Sequence, residues 1–464
     1  MTAELSPSVE ELTARVDALM GRARADLGEL VAIPSVADPR QFPPEECERA
    51  ARWVAEAFRE LGFADARLAL TPDGTHAVVG ERPGPEGAPT VLLYAHYDVQ
   101  PPLGEERWTT PPFELTERPD GRWYGRGAAD CKGNLVMHLT ALRALLADGG
   151  EIPVRLKIVI EGSEEQGTGG LERYLAEHPE DLRADAIVIA DSGNAAVGVP
   201  TATSTLRGAA NLTLAVSTLA ADQHSGAFGG AAPDALAALI RALDSLRRPD
   251  GTTAIEGLAD FTEATWDGTG YDEQTFRSDA GVLGDEIHLI GSGSVADRVW
   301  ARPAVTVLGI DCPPVVGSAA AVPATAKARV SLRVPPGLAG QRAYDALAAH
   351  LRAAVPWGAR VEIEPEFIAD PFRARTDGPG YAALGAAMSE AFDGKPLEFQ
   401  GQGGSIPLCG ALQEAFPEAE IMLIGVEEPT CLIHAPNESV HPEEIRRLAL
   451  AEARFLLRYA RTAD

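Results

Sequence analysis

The alternation of apolar and polar positions divides the chain into three stretches. In residues 1–203, short and almost continuously apolar runs alternate with amphipathic segments, a pattern typical of buried strands separated by helices. Because strands that are buried on both faces are characteristic of parallel sheets, we expect a parallel-rich sheet with helices on both faces. The predicted strands are residues 91–95, 155–160 and 186–190, and the predicted helices are residues 8–31, 43–61, 134–146 and 170–178.

The pattern changes near residue 204 and returns near residue 376. Segments 211–216 and 326–334 alternate between polar and apolar residues, which predicts half-exposed strands of an antiparallel sheet. We therefore predict an α/β domain (residues 1–203 and 376–464) interrupted by an inserted α+β domain (residues 204–375). The other predicted elements are helices at 234–246, 341–355, 379–392 and 442–459, a loop-rich stretch at 248–302 and a strand at 421–425.

Composition excludes several partners. The 464 residues include 40 Lys and Arg against 68 Asp and Glu, a formal net charge of −28. Nucleic acids and anionic membranes bind basic surfaces, so neither is expected as a partner. No apolar run reaches the roughly 18 residues of a membrane helix, and the acidic first residues do not resemble a signal peptide. Five scattered cysteines without a CxxC pair predict a cytoplasmic protein without a disulfide framework.

Histidine and acidic side chains follow the predicted buried strands, and one more acid lies in the loop before the helix at 134–146. Because the carboxyl ends of the strands share one edge of an open α/β sheet, we expect these side chains to lie close together. Each residue alone is more often structural or solvent-exposed, and only the combination predicts a common site. In chain order the residues are His96, Asp98, Asp130, Glu164, Glu165, Asp191 and His434.

This mixture of imidazole and carboxylate ligands indicates a metal centre. It suits zinc, with manganese or cobalt as possible substitutes. Two catalytic ions about 3.5–4 Å apart need a carboxylate that bridges them. We assign His96 and Asp191 to one ion and Glu165 and His434 to the other, with Asp130 as the bridge.

Two further acids receive other roles. Asp98 lies two residues after His96 and can orient its ring through the nitrogen that does not bind metal. Glu164 and Glu165 are adjacent, so their side chains should diverge. Glu164 is then free to take a proton from the attacking water as a general base.

Eight motifs distributed along the chain carry a resemblance to a known family. They are YAHYDVQP (94–101), GRGAADCKGN (125–134), EGSEEQGTGG (161–170), ADSGN (190–194), DQHSG (222–226), SLRVPPG (331–337), GQGGSIP (401–407) and LIHAPNE (432–438). In this order they resemble the co-catalytic zinc metallopeptidases that include carnosine dipeptidase, acetylornithine deacetylase and succinyl-diaminopimelate desuccinylase. The resemblance implies the same five ligands and base, and it makes the insertion a lid that is used for dimerisation.

The resemblance adds substrate-binding residues that spacing alone does not reveal. It implies that His224 enters the active site of the partner subunit and stabilises the oxyanion. It also implies that Arg333 grips the substrate carboxylate, for which a guanidinium group is well shaped. Gly403, Gly404 and Ser405 match a loop that lines the same pocket. Without the motifs, these residues would be interpreted as a surface histidine, a strand residue and a tight turn.

The resulting hypothesis is a cytoplasmic, homodimeric hydrolase with two divalent metal ions per chain. A metal-bridging hydroxide, with Glu164 as base, would attack the amide bond of dipeptides or small peptides that have a free C-terminal carboxylate. Chain length and lid size favour the dipeptidase branch. An N-acyl amino acid deacylase on the same scaffold is the alternative within the class. A catalytically silent binding protein is the alternative outside it, although the base and all five ligands are present.

Overall fold

The eight helices that the sequence pattern predicts all occur within a few residues of their predicted positions. Four shorter helices were not predicted: Pro179–Leu182, Ser225–Phe228, Glu273–Asp279, which lies in the stretch expected to be loop-rich, and Pro407–Ala415. The structure, a computed structural model, describes residues 7–462. The expectation that the chain does not start with a signal peptide concerns the first six residues, which lie outside this range. The α-helices are α1 (Val9–Val31), α2 (Pro44–Arg59), α3 (Lys132–Leu146), α4 (Gly170–Glu177), α5 (Pro179–Leu182), α6 (Ser225–Phe228), α7 (Ala235–Asp244), α8 (Glu273–Asp279), α9 (Gly340–Ala354), α10 (Pro379–Ala391), α11 (Pro407–Ala415) and α12 (Pro442–Tyr459).

The strands are more numerous than the sequence pattern predicts, because many are short. They are β1 (Arg67–Leu70), β2 (His76–Arg82), β3 (Thr90–His96), β4 (Thr116–Glu117), β5 (Trp123–Tyr124), β6 (Arg155–Glu161), β7 (Ala186–Ala190), β8 (Thr201–Leu206), β9 (Gly208–Ser217), β10 (Gln223–His224), β11 (Ala304–Asp311), β12 (Ala321–Val322), β13 (Thr325–Val334), β14 (Arg360–Ala369), β15 (Phe372–Arg373), β16 (Glu398–Gln402), β17 (Glu420–Ile424) and β18 (Ser439–Val440).

The described residues fall into two compact units. The first comprises residues 7–204, 374–400 and 411–462, and the second comprises residues 205–373 and 401–410. The main sheet has the strand order β1-β2-β6-β3-β7-β17-β8-β15, and β16 also pairs with β8. This mixed sheet with its helices confirms the predicted α/β fold.

Four neighbouring strands at the centre of that sheet, β6, β3, β7 and β17, pair in parallel. Strand β1 pairs antiparallel with β2, β2 with β6, and β8 with β17. A short turn joins β1 to β2, too short for the crossover that a parallel pair requires. Strands β3 and β7 are buried almost throughout, as their apolar runs predict.

The long helices of the first unit pack together beside the sheet. Helix α3 contacts α1, α12 and β3, and almost all of its residues are buried. Helix α1 begins at a capping box in which the Ser8 side chain accepts from the Glu11 amide and the Glu11 side chain accepts from the Ser8 amide. Across residues 7–462, no helix combines the length and the hydrophobicity needed to cross a membrane.

The second unit is built on a separate core. Its four-stranded antiparallel sheet has the order β11-β13-β9-β14, and helices α7 and α9 pack against it. The burial of β9 and β13 alternates, as their sequence predicts. Buried side chains such as Leu214, Val330 and Leu347 form one apolar cluster between the sheet and these helices.

Two loops beyond the carboxyl ends of β7 and β17 touch each other through their backbones. Gly193 pairs with Glu427 in a parallel bridge, and the amide of Asn194 donates to the Glu427 carbonyl over 2.9 Å. A Cβ atom at position 193 would lie 1.9 Å from that carbonyl oxygen. Only glycine therefore allows this contact.

We expect Gly193→Ala to lower the free energy of unfolding by about 1–3 kcal/mol, the usual cost of forcing atoms into a packed site. Urea denaturation measures it. The control is Gly21→Ala in α1, where a Cβ would meet open space, and alanine should there stabilise the helix by about 1 kcal/mol. Equal urea midpoints for Gly193→Ala and the wild type would contradict the steric argument.

Candidate active site

The four parallel strands of the first unit end at one edge, and the predicted ligands follow those ends. Strand β3 ends at His96, which lies opposite Glu161 at the end of β6. The short helical turn Glu164–Gln166 comes next after β6. Asp191 directly follows Ala190 of β7. This alignment brings side chains that are distant in sequence into one cluster.

His96 is completely buried, and both of its ring nitrogens have defined partners. Its Nδ1 lies 3.0 Å from the carbonyl oxygen of Asp98, a contact in which the ring donates. Its Nε2 faces two carboxylates, 3.0 Å from Asp130 Oδ1 and 3.2 Å from Asp191 Oδ1. Burial opposes protonation, but the surrounding acids raise the pKa of His96 well above its usual value. Nε2 therefore points to a position at which the two carboxylates would stabilise a positive charge.

His434 mirrors this arrangement on the other side of Asp130. Its Nε2 lies 3.0 Å from Asp130 Oδ2 and 3.1 Å from Glu165 Oε2. Hydrogen bonds with Asp130 and Glu165 raise the pKa of His434 to about 11. Asp130 thus offers one oxygen to each imidazole, which is the geometry expected of a bridging carboxylate.

The loop that carries His434 has an unusual backbone. His434 has φ = 61°, in the left-handed region that residues other than glycine seldom adopt. The Asn437 side chain ties the loop down, because it accepts from the amide of Thr109 over 2.9 Å and from Arg118 Nη2 over 2.9 Å. Such backbone strain persists where the surroundings enforce it and is common at functional sites.

The donor set fits divalent metal ions. Possible ligand atoms lie within 4.8 Å of one another in two groups: Asp130 with Glu165 and His434, and His96 with Cys131 and Asp191. Glu165 Oε1 is buried without a hydrogen-bond partner. Burial, together with the nearby Asp130, raises the pKa of Glu165 to about 7. A cation between these groups would satisfy the orphaned oxygen and offset the carboxylate repulsion.

Glu164 lies beside this cluster with its carboxylate unengaged. Its side chain makes no hydrogen bond within the described part of the chain, whereas Glu165 contacts His434 and Gln100. Burial and the nearby charge of Asp191 raise the pKa of Glu164 well above its usual value. Glu165 is engaged through its Oε2 alone, so the two adjacent glutamates differ in their surroundings.

Asp98 orders the backbone on which both glutamates stand. It is fully buried, and its two carboxylate oxygens accept from the amides of Glu164 (3.2 Å) and Glu165 (3.1 Å). Its Oδ1 also lies 3.4 Å from His96 Nδ1, while its own carbonyl receives the closer contact from that ring. Asp98 is therefore a positioning residue for two parts of the cluster.

Sequence reasoning assigned no separate role to Glu438, which fixes the loop that carries Asp130. Glu438 is completely buried and accepts from the amides of Gly127, Ala129 and Asp130 over 3.0–3.1 Å. It also contacts Arg126 Nη1 at 2.6 Å. The feature of the sequence that could have indicated a role for Glu438 was its position at the end of the LIHAPNE motif, four residues after His434.

Two buried residues beside the cluster were also given no ligand role. Cys131 follows Asp130, and its thiol donates to the Ala190 carbonyl over 2.9 Å; burial raises the pKa of this thiol, which keeps it neutral. Glu427 has a carboxylate oxygen in a further group with Asp130 and Asp191. An acid after Gly425 and Val426 resembles a surface turn in the sequence, so no pattern indicated its burial.

The second unit contains His224, Arg333, Gly404 and Ser405. His224 is exposed, and its Nδ1 accepts from the Ala227 amide over 3.2 Å. Arg333 stands on β13, where it pairs with Ala209 of β9. The Ser405 hydroxyl donates to the carbonyl of Arg207 over 2.7 Å.

Arg207 is the functional candidate in the second unit that sequence reasoning missed. It is nine-tenths buried, and its Nε and Nη1 have no hydrogen-bond partner. Burial and the neighbouring positive charge of Arg333 lower the pKa of Arg207 to about 10. An anionic group would satisfy these unpaired buried nitrogens and offset the two neighbouring positive charges. An arginine at the break between two strands was the available sequence signal.

Comparison with known proteins defines the class of this chain. Residues 92–458 match the profile of peptidase family M20/M25/M40. The chain belongs to this family and is a metallopeptidase. Family membership implies divalent metal ions, consistent with the donor set described above.

Individual relatives are similar over most of their length. The cysteinylglycine-S-conjugate dipeptidase of Corynebacterium striatum is 45% identical over 441 residues, covering 94% of this chain and 95% of that protein. The Cys-Gly metallodipeptidase dug1 of Schizosaccharomyces pombe is 29% identical and covers 71% and 73%. The crystal structure of human carnosine dipeptidase 1 superimposes with a TM-score of 0.83 at 25% identity, covering 98% of this chain and 99% of that one.

We expect Glu438→Gln to weaken metal binding by about 10–100-fold, since it loosens the loop of a metal ligand. Removing one partner of its buried ion pair should also cost about 3–5 kcal/mol of stability. Calorimetric titration of metal into the metal-free protein and urea denaturation measure the two effects.

The matched control is Glu420→Gln. Glu420 is also buried and accepts from two backbone amides, those of Gly380 and Tyr381, away from the cluster. This variant should lose stability but keep its metal affinity. If both variants bind metal equally well, Glu438 does not position Asp130.

Proposed function

We propose that this protein hydrolyses the amide bond of dipeptides, or of small peptides with a free C-terminal carboxylate, at a centre of two divalent metal ions. The observation that carries the proposal is the position of Asp130 between His96 and His434, with one oxygen 3.0 Å from each ring. The dipeptidase names of the relatives support this substrate class. Zinc is the first choice of metal, with manganese or cobalt as alternatives.

The cluster divides into two metal positions. His96 and Asp191 would hold one ion, Glu165 and His434 the other, and Asp130 would bridge them. This division follows the contacts, because each imidazole meets Asp130 and one further carboxylate. Asp98 keeps the His96 ring and the glutamate turn in place.

Divalent ions bound here would polarise the scissile carbonyl and lower the pKa of water. Glu164 takes the proton from the attacking water and passes it to the leaving amine. Its unengaged carboxylate supports this role. His224 of the partner subunit would stabilise the oxyanion, as the family resemblance implies.

Arg333 would hold the terminal carboxylate of the substrate, with Gly404 and Ser405 lining the same pocket. Arg207 strengthens this assignment, because a carboxylate would satisfy its buried unpaired nitrogens. Both arginines belong to one unit, so their spacing does not depend on domain movement.

We also propose that the protein forms a homodimer through the second unit, which is the inserted lid, and that it is located in the cytoplasm. Strand β11 is an edge strand with the exposed apolar residues Leu308 and Ile310, a surface suited to pairing with another chain. None of the five cysteines is in a disulfide, which suits a reducing compartment.

The test combines metal content with a substrate comparison. We expect about two ions per chain after reconstitution with zinc or manganese, and chelator-sensitive release of amino acids from dipeptides. Glu164→Gln should lower kcat by about 10²–10⁴-fold, the usual contribution of a general base, and retain both ions. The matched variant Glu165→Gln should lose metal.

Other outcomes contradict parts of the proposal. Turnover only of N-acetyl or N-succinyl amino acids would replace the dipeptidase with a deacylase. Bound metal without any turnover would favour a silent binding protein. Metal loss in Glu164→Gln would mean that the two glutamates have exchanged roles.

We expect Arg333→Ala to raise KM for dipeptides by about 10–100-fold, because it removes charged hydrogen bonds of about 1.5–3 kcal/mol. Dipeptide amides should be unaffected, since they lack the carboxylate. Arg329→Ala is the control: Arg329 lies on the same strand but pairs with Glu366, and its loss should leave KM unchanged. An equal rise in KM for dipeptides and their amides would exclude Arg333 as the carboxylate partner.

A further inference from the structure

Glu427 is a buried acid at the metal-binding cluster that has no place among the five predicted ligands. Its side chain is 8% exposed. One of its carboxylate oxygens, one of Asp130 and one of Asp191 lie within 4.8 Å of one another. All three residues belong to the first unit.

The two oxygens of Glu427 differ sharply in their surroundings. Oε1 accepts from Asn134 Nδ2 over 2.5 Å, whereas Oε2 is buried and has no hydrogen-bond partner. Asn134 is itself fixed, since its Oδ1 accepts from the Val426 amide over 2.8 Å. The carbonyl of Glu427 accepts from the amide of Asn194. The carboxylate is therefore held in place with one oxygen left free.

This arrangement is unfavourable for the charged carboxylate unless a cation is present. A buried carboxylate oxygen without a partner loses its hydration and gains nothing in return. Nearby Asp130 and Asp191 add electrostatic repulsion. Buried carboxylates are commonly stabilised by a salt bridge, but within residues 7–462 Glu427 forms none.

We propose that Glu427 is a sixth protein ligand of the metal centre and supplies its free oxygen to the ion that His96 and Asp191 hold. The proposal rests on the dinuclear centre of the proposed function. An additional carboxylate oxygen adds a hard donor to that metal position. Hard oxygen donors suit manganese better than they suit zinc. Glu427 therefore biases this position toward manganese.

The direct test is the visible spectrum of the cobalt-substituted protein. The d–d absorption of Co²⁺ strengthens as its coordination number falls. Glu427→Gln preserves the shape of the side chain and an acceptor for Asn134 but weakens the free oxygen as a ligand. We expect stronger Co²⁺ absorption in this variant than in the wild type, and an affinity for Mn²⁺ lowered by about 10–100-fold, with a smaller loss for Zn²⁺.

Glu452→Gln is the matched control. Glu452 is also buried, with one oxygen at His138 and the other without a partner, but it is absent from the ligand groups of the described chain. Its Co²⁺ spectrum and Mn²⁺ affinity should match the wild type. If Glu427→Gln does not fold, Glu427→Asp serves instead. It keeps the charge but shortens the side chain by one methylene group, which moves the oxygen away from the ion, so it should also strengthen the Co²⁺ absorption.

The outcomes separate this proposal from the proposed function. A wild-type protein that binds no metal overturns both. A wild-type protein that binds two ions and hydrolyses dipeptides, while Glu427→Gln keeps the wild-type spectrum and Mn²⁺ affinity, overturns only the sixth ligand. An equal loss of Mn²⁺ affinity in Glu452→Gln would also overturn it, because any buried glutamate would then have the same effect.

Discussion

The structure of the first unit depends on keeping carboxylates close together although they repel one another. Asp130, Glu165 and Asp191 meet around two imidazoles, and the loops that carry them need backbone contacts that offset this repulsion. Glu438 and Asp98 supply that support by accepting backbone amides from the Asp130 loop and the Glu164–Glu165 turn. The same chemical group thus has two roles: as a proposed metal ligand inside the cluster and as an acceptor that fixes the backbone outside it.

The sheet explains why these residues meet. Parallel strands place all their carboxyl ends at one edge, and the four central strands, β6, β3, β7 and β17, run parallel to one another. The antiparallel strands flank this centre and contribute none of the predicted ligands. Catalytic chemistry and parallel pairing therefore coincide, as they do generally in open α/β sheets.

Sequence alone predicts the central strands and the ligands that directly follow them, because an apolar run followed by a histidine or an acid is visible locally. It does not predict the antiparallel flanks, because strands β1 and β2 lack long apolar runs. It also misses Arg207 and Glu427. Their significance comes from burial and from contacts such as that between Glu427 and Asn134, nearly three hundred residues apart, and no local pattern encodes such a pair.

The charge of the chain bears on substrate choice beyond any single contact. A protein with a formal charge of −28 repels anions over about one Debye length, roughly 8 Å at physiological salt. A zwitterionic dipeptide carries no net charge and escapes this repulsion, whereas an N-acyl amino acid carries one negative charge. The proposed Arg207–Arg333 pair would act only at short range and would attract the carboxylate of either molecule. The long-range field thus favours the dipeptide, and the arginine pair would orient it after arrival.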